Sequence, residues 1–100
     1  MAKLIIRSAA KRDLDSIVTY INEELNSPVA AKSLLDSFFE KTSKLKDFPE
    51  LYPEYRTVGN GKYKYRFFPL KSYIVLYYIF ADDVYIRRVI YSKRNIDELI

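Results

Sequence analysis

Residues 73–80 read Tyr-Ile-Val-Leu-Tyr-Tyr-Ile-Phe, an apolar run unbroken by any polar or charged residue. It falls far short of the roughly 20 apolar residues that span a bilayer. Its β-branched and aromatic content predicts a central strand that is apolar on both faces. Partners lie close by in sequence. Ala81-Asp82-Asp83 is a turn leading into a second run, Val84–Tyr91. An earlier run, Tyr63–Pro69, is closed by its proline. Short connections between the three imply an antiparallel meander.

The first half of the chain has a different period. Leu4-Ile5-Ile6 reads as a short strand. Ser8 follows as a helix N-cap, its hydroxyl suited to an orphan backbone N–H. Leu14, Ile17, Val18, Ile21 and Leu25 then recur at spacings of three and four, the stripe of an amphipathic helix. Lys11, Arg12, Asp15, Asn22 and Glu23 form the opposite face. Asn26-Ser27-Pro28 interrupts it, with Ser27 as a new N-cap and Pro28 in the first helical position, where a missing N–H costs nothing. The second stripe is Ala31, Leu34, Leu35, Phe38, Thr42 and Leu45, ending near Phe48-Pro49. So short a joint implies an antiparallel helical hairpin. Pro49 to Gly61 reads as a surface loop, and Asn95-x-x-Glu98 as a capping box opening a short C-terminal helix. The fold class expected is α+β, a helical hairpin on a mainly antiparallel four-stranded sheet.

At 100 residues this is enough for one domain, taken as 1–100, and not for two. The chain has no cysteine and no histidine. Disulfides, thiolate zinc sites, thiol nucleophiles and imidazole acid–base chemistry are therefore excluded together. No metal site or cofactor is expected. The N-terminus lacks a signal peptide's long apolar segment, so a soluble cytoplasmic protein with no membrane partner is expected.

Charge adds the first functional hint. The net charge is +4, yet residues 1–50 carry eight basic and eight acidic side chains, so the excess lies in the second half. Arg56, Lys62, Lys64, Arg66 and Lys71 occur without an intervening acid, as do Arg87, Arg88, Lys93 and Arg94. Such stretches suit phosphates or acidic protein surfaces, or else form a solvated basic face. In an extended Lys62–Phe67, Lys62, Lys64 and Arg66 would form a cationic comb backed by Tyr63, Tyr65 and Phe67. On the last strand Ile86, Arg88 and Ile90 would share one face, and Tyr85, Arg87, Val89 and Tyr91 the other. An arginine on an apolar face signals a bulge or an opened strand end. Tyr91, Lys93 and Arg94 fall at that strand's exit, where a rigid sheet would position them. Lys, Arg and Tyr are the tools available for catalysis, and they suit phosphodiester cleavage by stabilising a pentavalent phosphate.

In this order the segments resemble the RelE/ParE toxins, the toxin halves of bacterial type II toxin–antitoxin pairs. The likeness rests on Ala10–Leu14 with Ile17 and Tyr20-Ile21, on Ser27–Ala31 through Phe48–Pro53, and on Tyr73–Tyr78 followed by Val89–Asn95. It implies growth inhibition, plasmid stabilisation and a cognate antitoxin, with a larger toxin–antitoxin complex binding operator DNA through the antitoxin. RelE-like relatives cut mRNA on the ribosome. For that activity the resemblance points to Lys64, Arg66 and Tyr91 as catalytic. ParE-like relatives act on DNA gyrase and are not nucleases; for that, Arg87, Tyr91, Lys93 and Arg94 are the expected target-binding residues. Ile74 stands where the RelE pattern has arginine, and Ala30-Ala31 and the Phe-Pro loop are closer to the ParE pattern, although Tyr91 replaces a histidine common there. A member retained only as antitoxin partner is the third possibility.

Overall fold

The apolar run is one of the two inner strands of a four-stranded sheet. The structure, a computed structural model, describes residues 2–55 and 64–94. In chain order they form β1 (Leu4–Ile6), α1 (Ser8–Thr19), a π-helical turn (Tyr20–Glu24), α2 (Pro28–Leu45), β2 (Arg66–Leu70), β3 (Tyr73–Phe80) and β4 (Asp83–Tyr91). Strand order is β1-β4-β3-β2, with β1 parallel to β4 and the rest antiparallel. The α+β architecture and meander match the sequence reading. The proposed C-terminal helix lies outside the described residues, as do Lys62 and Tyr63.

Both faces of β3 are covered over Val75–Tyr78, while Phe80 at its end is exposed. Val75 and Tyr77 pack toward the helices with Leu14, Leu34 and Phe38, while Leu76 and Tyr78 face the other way with Tyr65 and Ile90. Burying such side chains contributes about 1.5–3 kcal/mol each. Tyr78 stacks on Tyr85 at 5.1 Å and accepts a 2.7 Å hydrogen bond from Arg7 Nη1. Burial, the main cause, pushes the Tyr77 phenol above the usual tyrosine range; its hydroxyl donates to the Pro49 carbonyl at 2.9 Å.

Several local expectations are corrected. Arg7, not Ser8, is the residue flanking α1, and no side chain caps that end. The Arg7 N–H is still bonded to Ile86 O of β4 at 3.0 Å, so the chain passes from the sheet ladder straight into the helix, which begins at Ser8, one residue earlier than a Ser8 cap would set it. Ser27 and Pro28 act as expected: Ser27 Oγ accepts from Ala30 N–H at 3.2 Å. Before them the first helix widens into the π-turn, with Leu25 N–H bonded to Tyr20 O and Ser27 N–H to Ile21 O. Widening changes the angular phase. Ile21 stays buried, but Leu25, placed on the stripe by its spacing, is 55% exposed.

β2 begins at Arg66 rather than Tyr63. Its outer edge is met by the preceding segment, through Tyr55 N–H to Tyr65 O at 2.7 Å and Phe67 N–H to Pro53 O at 3.2 Å. This arrangement takes Arg66 out of the expected cationic comb. Lys64 is exposed, whereas Arg66 is half-buried and its Nη1 donates to the Tyr52 carbonyl at 2.7 Å. Tyr65 and Phe67 do share a face, in the cluster on the sheet's far side.

The last strand carries the anticipated bulge, and the bulge reassigns its faces. Leu76 opposes Arg88 and Tyr77 opposes Ile86, leaving Arg87 as the extra residue. Ile86 and Val89 therefore face the helices, and Tyr85 and Ile90 the opposite side. The even alternation expected from sequence fails at that one residue.

Candidate functional site

Two groups of basic side chains lie along β4, and different surroundings separate them. β1 pairs with β4 only over Val84–Ile86, so the edge beyond is open. Asp13 of α1 fills the gap. Its Oδ2 accepts from Val89 N–H at 2.9 Å and Arg88 Nε at 2.7 Å, and Oδ1 accepts from Arg88 Nη2 at 3.0 Å. The hydrogen bond to Asp13 raises the Arg88 pKa above the ordinary arginine value, against the opposing pull of burial. With side-chain exposures of 20% and 16%, this pair is a closure of the sheet edge.

Past the bulge the chain leaves the sheet. Ser92 N–H bonds to Ser72 O at 2.9 Å, and Arg94 N–H to Tyr91 O at 3.0 Å, which sets the exit beside the β2–β3 turn. That turn is made by Lys71 in the left-handed region, φ 56°, followed by Ser72. Tyr91 is opposite Tyr73, with ring centroids 5.9 Å apart at 69°. Burial first, then Tyr20 and Tyr91, raise the Tyr73 pKa. Lys93, Arg94 and Lys71 are all exposed around this aromatic pair.

Beside it runs a groove of about 400 Å³, bounded by Tyr20 and Leu25 at the π-turn and by Lys71, Tyr73 and Tyr91 at the sheet. Tyr20 is 50% and Tyr91 41% exposed. Sequence reading singled out Tyr91 but missed the contribution of Tyr20, Leu25 and Tyr73. The helical period had assigned Leu25 to the core, and nothing in that period signals a π-turn.

The sequence-derived residues are thus partly gathered. Tyr91, Lys93 and Arg94 lie together at the exit, while Arg87 is half-buried at the bulge. Lys64 and Arg66 are elsewhere. Arg66 opposes Tyr77, and Tyr91 opposes Tyr73, on the other side of β3. Four residues along and two strands across put these backbones roughly 16 Å apart at ordinary sheet spacings. Among the described residues no group of three or more acidic side chains could hold a metal ion, and no helix is long and apolar enough to cross a membrane.

A family model of the ParE toxin of type II toxin–antitoxin systems, parDE, matches residues 4–96. The chain belongs to the ParE toxin family. Among solved structures it is similar to a chain of the chromosomal ParDE toxin–antitoxin system from P. aeruginosa. The TM-score is 0.72 at 18% identity, over 91% of this chain and 96% of that one, a likeness of fold. No curated protein sequence matches it. Membership narrows the RelE/ParE resemblance to its ParE side, in line with Ile74 and the Ala30-Ala31 pair.

Proposed function

We propose that this ParE-family chain is an active, growth-inhibiting toxin of the cytoplasm that acts on DNA gyrase through its basic sheet exit. The observation carrying this reading is the separation of the basic residues. A phosphodiesterase of this composition needs its cations converged on one phosphate, but Arg66 is spent on the Tyr52 carbonyl, on a different part of the sheet from Tyr91. Tyr91, Lys93 and Arg94 instead form an exposed patch on a rigid support, the form of a protein-binding surface with an aromatic and arginine anchor. No catalytic step is assigned, and no cofactor is called for.

The cognate antitoxin is expected to supply an extended, acidic and apolar segment that folds on binding. Its apolar residues would enter the groove beside Tyr20 and Leu25, and its carboxylates would meet Lys71 and the exit. Larger assemblies would reach operator DNA through the antitoxin.

The direct test is a supercoiling assay with purified gyrase and this chain, run beside a translation reaction in which mRNA integrity is followed. Loss of supercoiling with intact mRNA supports the proposal. Normal supercoiling at saturating toxin, with ribosome-dependent cuts in mRNA, would replace it by the nuclease reading. Co-expression with the small protein encoded next to the gene should restore growth and co-purify as a complex.

A further inference from the structure

The end of the sheet away from the basic exit has the opposite character. A broad groove of about 970 Å³ lies between the end of α2 and the β3–β4 hairpin. Phe48, Leu51 and Ile79 supply its apolar lining, and Asp47, Glu50 and Asp82 stand with them. Asp83 also borders it, its Oδ1 occupied by the Lys3 N–H at 3.0 Å. Among the described residues that line it, four carboxylates stand against the ammonium of Lys46, in a chain whose net charge is +4. Phe48 is 65% and Leu51 49% exposed, an unusual pair of uncovered large apolar side chains beside so much charge. No ion pair among the described residues engages Asp47, Glu50 or Asp82.

We propose that this groove receives the basic strand exit of a second copy of the same chain. The occupant is chosen by complementarity. Such a site calls for cations mounted next to exposed aromatic and aliphatic groups. Lys71, Lys93 and Arg94 around Tyr91, Tyr20 and Leu25 are that arrangement, at the opposite end of β4. Opposite potentials brought together in this way set register and speed encounter. Because the two patches differ and lie at opposite ends of one strand, the contact is head-to-tail. It is heterologous, so it grows open chains and not closed dimers. The inference is independent of the gyrase reading, since it concerns the antitoxin-free chain alone.

Sedimentation of the purified chain at rising concentration tests it. In low salt the average mass should climb without stopping at two copies, and about 1 M salt, with a Debye length near 3 Å, should return it to one. A groove variant, Asp47→Asn/Glu50→Gln/Asp82→Asn, removes charge with isosteric amides, and asparagine tolerates the left-handed backbone at position 82, φ 68°. An exit variant is Lys93→Ala/Arg94→Ala. Each alone should associate about tenfold more weakly or worse. Mixed, they should form a species of two chains and no larger, because one intact groove meets one intact exit. The proposal is overturned if the wild type stays monomeric at roughly 200 µM in low salt, conditions that populate even weak contacts. It is equally overturned if either variant associates like wild type, or if the mixture remains monomeric. In the monomeric case, tight binding of a lysine- and aromatic-rich peptide would assign the groove to a basic partner.

Discussion

Arg88 and Arg94 are six positions apart on one stretch of chain, and the structure gives them opposite roles. Arg88 meets Asp13 through two nitrogens, beside a backbone N–H that the same carboxylate satisfies. Arg94 stands exposed past the last strand, next to Tyr91. One closes an open sheet edge; the other is presented to whatever approaches. A count of basic residues treats them alike. What separates them is the end of β1, since only where β4 loses its neighbour does an arginine-carboxylate plug become necessary.

Asp13 is what sets Arg88 apart from Arg94. Asp13→Ala takes the carboxylate away from Arg88 and leaves the Val89 N–H without its acceptor in a half-buried setting, and should cost about 2–3 kcal/mol. For a domain of this size that lowers the melting temperature by roughly 10–20 °C. Asp13→Asn keeps one acceptor and should recover part of the loss. If Asp13→Ala melts like wild type, Arg88 is no more structural than Arg94, and the contrast fails.

Arg66 extends the scaffold side to β2. Arg66→Ala releases the Tyr52 carbonyl and should destabilise by about 1–2 kcal/mol, since the bond involves a charged donor. Faster proteolysis near residues 49–55, measured on the folded protein, would locate the effect. Uniform protection of that segment would show that the Tyr52 ring packing on Phe68, at 4.8 Å, suffices alone.

A pH titration separates buried from presented tyrosines. Burial raises the pKa of Tyr52, Tyr73 and Tyr77 above the ordinary value near 10. The folded state then holds these protons more tightly than the unfolded state. Their contribution is complete below about pH 10 and is lost as pH rises through the folded-state values. The melting temperature should fall across that alkaline window, with phenolate absorbance from these three appearing late. An absorbance titration complete near pH 10 with no loss of stability would contradict their burial.

The smallest stability effect belongs to the exit. Arg94→Ala should stay within about 0.5 kcal/mol of wild type, as exposed substitutions do, while relieving growth arrest. Unfolding by Arg94→Ala would make it an anchor like Arg88.

The major elements were legible because each has a local cause. The Tyr73–Phe80 strand is recovered with the same bounds from its apolar run alone. The helix restart at Ser27-Pro28 is legible from cap chemistry, and the hairpin from the turn at Ala81-Asp82, both left-handed at φ 50° and 68°. Tyr91, Lys93 and Arg94 were legible as a group because adjacent residues at a strand exit stay together in space.

What failed depended on neighbours distant in sequence or on a change of phase. A period of two placed Ile86 and Ile90 on one face, and one bulged residue set them apart. A helical period put Leu25 in the core, and one widened turn brought it out to the groove of Tyr20 and Tyr91. The basic comb looked intact because alternation places side chains on a face without saying what meets them; the Tyr52 carbonyl, 14 residues back, removed Arg66 from it. The sequence alone therefore determined the elements, their order and where positive charge accumulates, since these follow from propensity and pattern within a few residues. Only the tertiary structure decided which charges are consumed in holding the fold and which are left exposed, because that depends on the partner across space, as Asp13 is for Arg88.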